Sequence, residues 1–313
     1  MASAPRSETP SAIPSLTAAR PVIWPPRVHR TLSNGLEVVL VESHTIPKFT
    51  GELFFRSGNA VTAAKAPGLA DMTATVARTG TTKRTSREIE EDLRRMGSDL
   101  SSGAGADTSV ISFAGLVDFS NDLLGLVSEL AQQASFPEDE FERERRQLVE
   151  GLRIERTTPG FLAGERLRRV LFGAHPYGTI SPTEEQVTGY RVEHLKDYYQ
   201  RYYRPGNALL VLVGDFSPEK MLAQIEKVFG SWASGPVDAA PDPALPEMQA
   251  RRVYLVHLPE SVQELKPEQA KYGTYYLSAS RLNFGEEQSP ALLLLWTKEQ
   301  PGWKVVAWAV EVP

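Results

Sequence analysis

The chain has 313 residues, of which 41% are hydrophobic, and its formal net charge is −5 at pH 7. This length and composition allow one large hydrophobic core or two modest ones. No stripe of Lys and Arg indicates a nucleic-acid partner, and the longest apolar run, Ala291–Trp296, is far too short to span a bilayer. The absence of cysteine excludes disulfides and thiol catalysis and leaves the compartment open.

The first 26 residues are rich in Ser, Ala and Pro. They lack the apolar core of about 7–15 residues that a secretory signal requires, so we predict a disordered leader over residues 1–26. The localisation stays unknown. A periplasmic location is expected if the true start lies upstream, and a cytoplasmic one otherwise.

Strand and helix signals follow each other after this leader and indicate an α+β protein. Leu36–Glu42 and Thr50–Arg56 are rich in Val, Leu and Phe, as strands are. Thr85–Glu88 has the sequence of a capping box, which predicts a helix that starts there and stops at Gly97. The alternation of apolar residues over Asp107–Leu116 predicts a further strand.

The next predicted helix is marked by five apolar residues, Leu123, Leu124, Val127, Leu130 and Ala131. A long helix follows over Pro137–Arg156, whose coat of Glu and Arg is either a solvated face or a partner surface. Ala208–Val213 is predicted to be a strand. Ser217-Pro218 is expected to cap a last helix that ends at Gly230. The side chains predicted to face inward from these last two helices are Phe141, Leu148, Leu152, Leu222, Ile225, Val228 and Phe229.

Short motifs in a fixed order link residues 27–235 to a known family. They are Arg30–Leu40, Arg56–Gly58, the frame of Gly68-Leu-Ala70 with Gly80-Thr81, Phe141–Gly151, His175–Gly178, Tyr202–Asn207 and Val211–Asp215. Each motif is weak alone, but together they resemble the insulinase/pitrilysin family of zinc peptidases, which includes many exported bacterial proteins. The resemblance implies an N-terminal domain with a mixed, largely antiparallel sheet covered by helices, equivalent to the first half of a family subunit.

The zinc helix of that family carries an inverted His-x-x-Glu-His motif, in which two His hold the metal and the Glu activates its bound water. In the matching frame the first His is replaced by Asp71, the Glu by Ala74 and the second His by Thr75. The third ligand of the family, a Glu on the later charged helix, falls at Gly151. The neighbouring Glu150 is turned about 100° away on a helix. The resemblance therefore implies a peptidase scaffold without catalytic groups, bound zinc or any other cofactor.

Three functions stay open at this point. The first is a non-catalytic homologue that serves as a structural or peptide-contacting partner of an active zinc peptidase. The second is a divergent active zinc metalloendopeptidase with an unrecognised metal site. The third is a vestigial fold without a role. The joint loss of all four chemical positions favours the first over the second, because random divergence around a working site would spare some of them. Since most of the second half of a subunit is missing, we expect self-association or binding to an active homologue.

In the family, an edge strand near the zinc site binds the substrate backbone as an extra strand. The matching segment is Leu100–Ala104. Its small residues leave room for a second backbone, which makes Ser101, Ser102, Gly103 and Ala104 the candidate peptide contacts. The alternative is an ordinary edge strand with small residues.

No second catalytic pattern is found in the sequence. No two of the five histidines lie three or four residues apart, and Gly103-Ala-Gly105 lacks the third glycine of a dinucleotide loop. His175 precedes Pro176 and is expected to pack or to cap a turn. Asp71 is expected to be solvated or to cap its helix.

Residues 236–250 are predicted to be a Pro-rich linker, since four prolines lie between Gly235 and Pro246. Residues 251–313 are predicted to hold the truncated start of a second domain, at Arg252–Gln263, followed by an unrelated β-rich tail. Two strand-like runs, Leu292–Thr297 and Trp303–Val312, faintly resemble the closing hairpin of a nuclear-transport-factor-like domain. A natural fusion, a truncation or an artefactual joining of two reading frames would each produce such a tail.

Overall fold

The computed structural model describes residues 24–238 and, further on, four strands within residues 268–311. In the first part the strands are β1 Arg27–Thr31, β2 Glu37–Glu42, β3 Lys48–Phe55, β4 Asp99–Ala104, β5 Ser109–Leu116 and β6 Ala208–Gly214. The helices are α1 Leu69–Ala77, α2 Ser86–Met96, α3 Ser120–Gln132, α4 Glu138–Glu155, α5 Pro159–Phe172, α6 Glu184–Thr188, α7 Val192–Tyr202 and α8 Pro218–Phe229.

The six strands form one sheet in the order β1-β2-β6-β3-β5-β4. Neighbouring strands run antiparallel except β2 and β6, which are parallel. This arrangement confirms the α+β class and the mixed, largely antiparallel sheet. It also makes β4 an edge strand, because within this sheet it pairs only with β5.

One face of the sheet is buried under the helices. The four central strands alternate, so that Leu40, Phe49, Leu53 and Leu212 point into a core shared with α3 and α8 and are almost fully buried. The inward residues of α3 and α8 supply the other side of that core. Phe141 and Leu152 of α4 are buried, and Leu148, Leu222 and Val228 pack against the core at partial burial, as the periodicity predicts.

The other side of the sheet, which we call the open face, is apolar although it is only half-buried or exposed. Val213 is 39% exposed and Leu116 is 37% exposed. A groove of about 590 Å³ crosses this face between β3, β5 and β4, and Glu52 and Asp99 stand in its lining. The apolar side chains of the open face are Val39, Val41, Phe54, Val110, Ala114, Leu116, Leu209, Val211 and Val213.

Most local signals of the sequence correspond to real elements. The capping box at Thr85 is present, because its hydroxyl accepts from the Glu88 N–H and the Glu88 carboxylate accepts from the Thr85 N–H. Gly97 ends α2 in the left-handed region at φ 57°. Ser217 is the N-cap residue of α8, Pro218 is its first residue and Gly230 ends it, as the sequence predicts. The Ser217 hydroxyl donates to the Glu219 carboxylate and accepts no helix N–H.

The later part of the chain contains a separate four-stranded antiparallel sheet in the order β10-β9-β8-β7. Its strands are β7 Glu268–Tyr272, β8 Tyr275–Arg281, β9 Ala291–Glu299 and β10 Gly302–Glu311. The two predicted runs are therefore neighbouring antiparallel strands, β9 and β10, while residues 300 and 301 of the turn predicted between them lie outside the described residues. The predicted leader, except residues 24–26, most of the predicted linker and the predicted strand at Arg252–Gln263 lie outside the described residues.

Candidate functional site

Helix α1 occupies the place of the predicted zinc helix, and its start is fixed by local contacts. Gly68 precedes it at φ +81°, a conformation that favours glycine, and its α-carbon faces the ring of Pro182. The Tyr190 hydroxyl donates to the Pro67 carbonyl just before the helix. α1 then packs against β4, α4 and α7. The helix therefore lies between the sheet edge and the charged helix α4.

The least buried side of α1 carries Asp71, Thr75 and Arg78, which are four and three residues apart. Residues at this spacing share one helix face, and it is the face from which the two family histidines would project. Ala74, three residues after Asp71 and four before Arg78, lies on this face as well, but it is only 1% exposed. The position predicted to have lost the catalytic Glu is thus closed to water.

Three hydrogen bonds join α1 to β4, and we call this set the α1–β4 seam. The Ala104 N–H donates to Asp71 Oδ1 at 2.8 Å. The Ser102 hydroxyl donates to the Ala74 carbonyl at 2.7 Å, and Arg78 Nη1 donates to the Leu100 carbonyl at 3.5 Å. From Asp71 to Arg78 the helix rises about 10.5 Å, and from Ala104 to Leu100 the strand extends about 13 Å. Because these two lengths are similar, α1 and β4 can remain in contact along the whole seam.

Asn59 reinforces the seam at its Ala104 end. Its side-chain amide donates to the Ala104 carbonyl at 3.2 Å, and its Oδ1 accepts from the Asp71 N–H at 3.3 Å. Its own N–H donates to the Gly105 carbonyl at 2.9 Å. The end of β4, the loop before α1 and the first turn of α1 are therefore held in one hydrogen-bonded network.

The register of the β4–β5 hairpin decides which main-chain groups face the sheet edge. The Gly105 N–H donates to the Thr108 carbonyl at 2.8 Å, which closes the hairpin turn. By antiparallel alternation, Leu100, Ser102 and Ala104 then direct their N–H and C=O groups away from β5. Both groups of Ala104 and the carbonyl of Leu100 are taken by the contacts above, whereas Ser102 has no main-chain partner at this edge among the described residues.

On α4, the predicted site positions are not hydrogen-bonded to the sheet as those of α1 are. A Cβ added at Gly151 would meet no atom within 4 Å, so this position is open space beside a helix. Glu150 Oε1 accepts from Arg153 Nη1 at 2.7 Å, and Arg153 also bonds to Glu184 at 2.9 Å. Glu150 is thus engaged in a surface ion-pair network, in agreement with the predicted rotation away from a metal.

The groups around α1 do not form a zinc ligand set. Asp71 brings the one carboxylate of the four positions, and it is already an acceptor for Ala104, while Thr75 and Gly151 supply no good zinc donor. In residues 24–238, no three His, Asp or Glu side chains converge as a metal site would require. The same residues contain no helix long and apolar enough to cross a membrane.

Buried tyrosines lie on α7, the helix that packs against α1. Burial raises the pKa of Tyr198 to about 12 and raises the pKa of the fully buried Tyr203, just after α7, well above its usual value. Tyr203 stacks on Phe55 of the sheet, with ring centroids 4.0 Å apart. These hydroxyls therefore stay neutral at physiological pH.

Two family models match the chain. The model of insulinase (peptidase family M16) matches residues 37–158, and that of the peptidase M16 inactive domain matches residues 190–297. The chain belongs to the insulinase/pitrilysin family. The second match continues beyond residue 235, so the bounds 27–235 of the predicted domain stay a prediction.

Curated relatives include an uncharacterized zinc protease, YmxG of Bacillus subtilis, which is 22% identical over 203 residues, 64% of this chain and 49% of that protein. A probable mitochondrial-processing peptidase subunit beta of Arabidopsis thaliana is 23% identical over 208 residues, 66% of this chain and 39% of that protein. The chain spans about half the length, or less, of these curated relatives.

Solved M16 structures have the same fold. A peptidase M16 inactive domain from Pseudomonas fluorescens is 28% identical with a TM-score of 0.66, and the match covers 70% of this chain and 54% of that one. The first half of the periplasmic protease PqqL from Escherichia coli is 19% identical with a TM-score of 0.62, over 70% of this chain and 48% of that one. The second match supports the fold alone.

The structure brings some of the predicted site residues together. Asp71 meets Ala104 and lies within 3.4 Å of the place where a Gly103 side chain would begin, and Ala74 meets Ser102. Thr75 shares the helix face of Asp71, and α1 packs against α4, which carries Gly151. The assignment of these four positions to the lost zinc site is compatible with this geometry and stays a prediction.

Two residues of the network were missed by sequence reasoning, Asn59 and Arg78. Both act through backbone groups that are distant in sequence, and no local pattern identifies such contacts. His175 behaves as expected, since its ring nitrogen accepts from the Tyr177 N–H and caps a short turn. Asp71 was expected to be solvated or to cap α1, but its carboxylate bonds to β4.

Proposed function

We propose that this M16 chain is a non-catalytic peptidase homologue that acts as a structural or peptide-contacting partner of an active member of the family. The observation that carries this proposal is the state of Asp71, whose carboxylate accepts the Ala104 N–H at 2.8 Å instead of facing an open metal position. With Ala74 buried and Gly151 lacking a side chain, neither a base for water nor a third ligand is available.

The open face supports the partner role. An apolar sheet face usually packs against another layer, and large exposed apolar patches mark interaction sites. Here Val39, Val211 and Val213 lie on such a face, with the carboxylates of Glu52 and Asp99 in its groove. We propose that the second half of an active M16 homologue docks there, and that self-association uses the same surface when no partner is present.

A divergent zinc endopeptidase is the second candidate function. It would require ligands outside the described residues, so it predicts metal-dependent activity that does not depend on Asp71. A vestigial fold is the third candidate, and it predicts neither activity nor a partner.

Peptidase assays on the purified chain distinguish these candidates. We expect no cleavage of a mixed peptide pool, with or without added zinc, whereas an intact M16 homologue assayed in parallel cleaves the pool and stops when a chelator is added. Chelator-sensitive cleavage by this chain, unchanged in Asp71→Ala, would favour the divergent enzyme and reject the proposal.

Light scattering tests the partner role. Mixed with an M16 homologue that keeps its His-x-x-Glu-His, the chain should form a complex, and alone it should self-associate at micromolar concentration. Val213→Asp on the open face should weaken both associations, while Arg87→Glu, on an 86% exposed side chain of α2, should not. A monodisperse monomer that ignores the homologue would favour the vestigial fold.

A further inference from the structure

At the β4 edge, the open backbone of this sheet meets polar side chains of helix α1 and of Asn59. An exposed edge strand offers unpaired N–H and C=O groups, and another extended chain can add to it as a new strand. On β4 those groups belong to Leu100, Ser102 and Ala104. The small residues of this strand set no steric barrier to such an addition.

Hydrogen bonds from α1 and from Asn59 occupy much of that edge. An added strand would form its bonds with alternate residues of β4. At Ala104 both main-chain groups are already bonded, to Asp71 at 2.8 Å and to Asn59 at 3.2 Å, and at Leu100 the carbonyl accepts from Arg78 at 3.5 Å. Among the described residues, this leaves Ser102 as the one complete pair of groups open to a peptide.

The geometry points to Asp71 as a latch that keeps extended peptides off the β4 edge. A peptide that pairs with β4 beyond Ser102 needs the Ala104 N–H as a donor, and the Asp71 carboxylate holds that N–H. Peptide contact through Ser101, Ser102, Gly103 and Ala104 would then require the latch to open. This inference goes beyond the proposed function, because it holds whether or not the chain binds an active homologue.

Asp71 is the decisive member of the network for two reasons. Its bond is the shortest of the three main-chain contacts at the edge, and a bond from an N–H to a carboxylate is stronger than one between neutral groups. It also blocks a donor, whereas Asn59 and Arg78 block carbonyls that can accept a second hydrogen bond through their other lone pair.

Peptide binding to the wild type and two variants tests the latch. The probe is a fluorescein-labelled peptide of about eight residues with alternating Val and Thr, which favours extended structure. We expect Asp71→Ala to bind this probe at least about tenfold more tightly than the wild type, because one main-chain hydrogen bond becomes available. Asp71→Asn keeps an acceptor oxygen in the same place, so its affinity should stay near that of the wild type.

A second probe checks the mode of binding. The same peptide with proline at alternate positions lacks the N–H donors of a pairing strand, and it should not gain affinity for Asp71→Ala. A folded Asp71→Ala variant that binds the first probe no better than the wild type would overturn the proposal. An equal gain for the proline peptide would do so as well.

Hydrogen exchange of the wild type tests the latch without any variant. The Ala104 amide should exchange more slowly than the Ser102 amide of the same edge, since only the first is bonded. Equal and fast exchange of the two amides would contradict the latch. Absence of a complex with an active homologue would reject the partner role and leave this result unchanged, so the two proposals fail separately.

Discussion

The two sides of the predicted zinc site have different fates in this chain. On the α1 side, Asp71 and Ala74 are held against β4 by hydrogen bonds at 2.8 and 2.7 Å, and Ala74 is 1% exposed. On the α4 side, Gly151 has open space where a Cβ would stand, and Glu150 is bonded to Arg153 at the surface. The α1 positions thus contact the sheet edge, whereas a side chain at Gly151 of α4 would begin in open space.

This difference teaches that the surroundings of a position decide what a side chain there contributes. A carboxylate next to an edge strand contributes to the fold, because the unpaired N–H groups of the strand stabilise it. A position on a solvated helix face has no such neighbour. We therefore expect substitutions on the α1 side to cost stability and the equivalent ones on the α4 side to cost none.

The largest effect is expected for Ala74→Glu, which restores the residue type of the family at the base position. A Glu there would have to enter a closed contact between α1 and β4, so overpacking and an unpaired buried carboxylate should destabilise the fold by about 3 kcal/mol or more. Urea unfolding measures this loss of stability, with Thr75→Glu, at the next and less buried position of α1, as the matched control. Equal, small effects of both substitutions would mean that the α1 side is still open.

The next effect is that of Asp71→Ala, which removes the acceptor of the Ala104 N–H. A hydrogen bond to a charged group contributes about 1.5–3 kcal/mol, and we expect a loss within that range in urea unfolding. Thr75→Ala, four residues along the same helix face, should change stability by less than about 0.5 kcal/mol. A loss as small as that of Thr75→Ala would mean that Asp71 is not part of the seam.

The sequence predicted the parts of this site that depend on local pattern. The motif frame placed α1 and α4, the capping box placed α2, and the alternation of Asp107–Leu116 placed β5. The seam could not be predicted, because it joins α1 to a strand that starts more than twenty residues later and uses main-chain groups that any residue possesses. Asn59 and Arg78 were missed for the same reason.

A gain of stability is expected for Gly151→Ala on the α4 side. The added Cβ meets nothing within 4 Å, and alanine in a helix interior is favoured over glycine by about 0.5–1 kcal/mol. Gly125→Ala in α3, where the space is equally open, should give the same gain. A loss at Gly151 with a gain at Gly125 would indicate that α4 needs the glycine for a close contact.

The smallest effect is the pH dependence of stability that His44 causes. It should be the same in variants of the α1 side and of the α4 side. His44 bonds to Asp215 and Glu42 beyond the ends of β6 and β2, and these hydrogen bonds raise its pKa above the usual 6.5. Its contribution to stability is therefore present below pH 6.5 and is lost as the pH rises through the raised value. His44→Gln should remove this slope, while Asp71→Ala and Gly151→Ala should keep it.

The zinc content of the purified full chain tests the central claim most directly. After dialysis against zinc and then against metal-free buffer, we predict no stoichiometric zinc in the wild type, because Asp71, Ala74, Thr75 and Gly151 form no ligand set. The variant that carries His, Glu and His at positions 71, 74 and 75 should also retain none, since Gly151 leaves the metal without its third protein ligand. About one tightly held zinc per wild-type chain, removed by a chelator, would contradict the non-catalytic assignment.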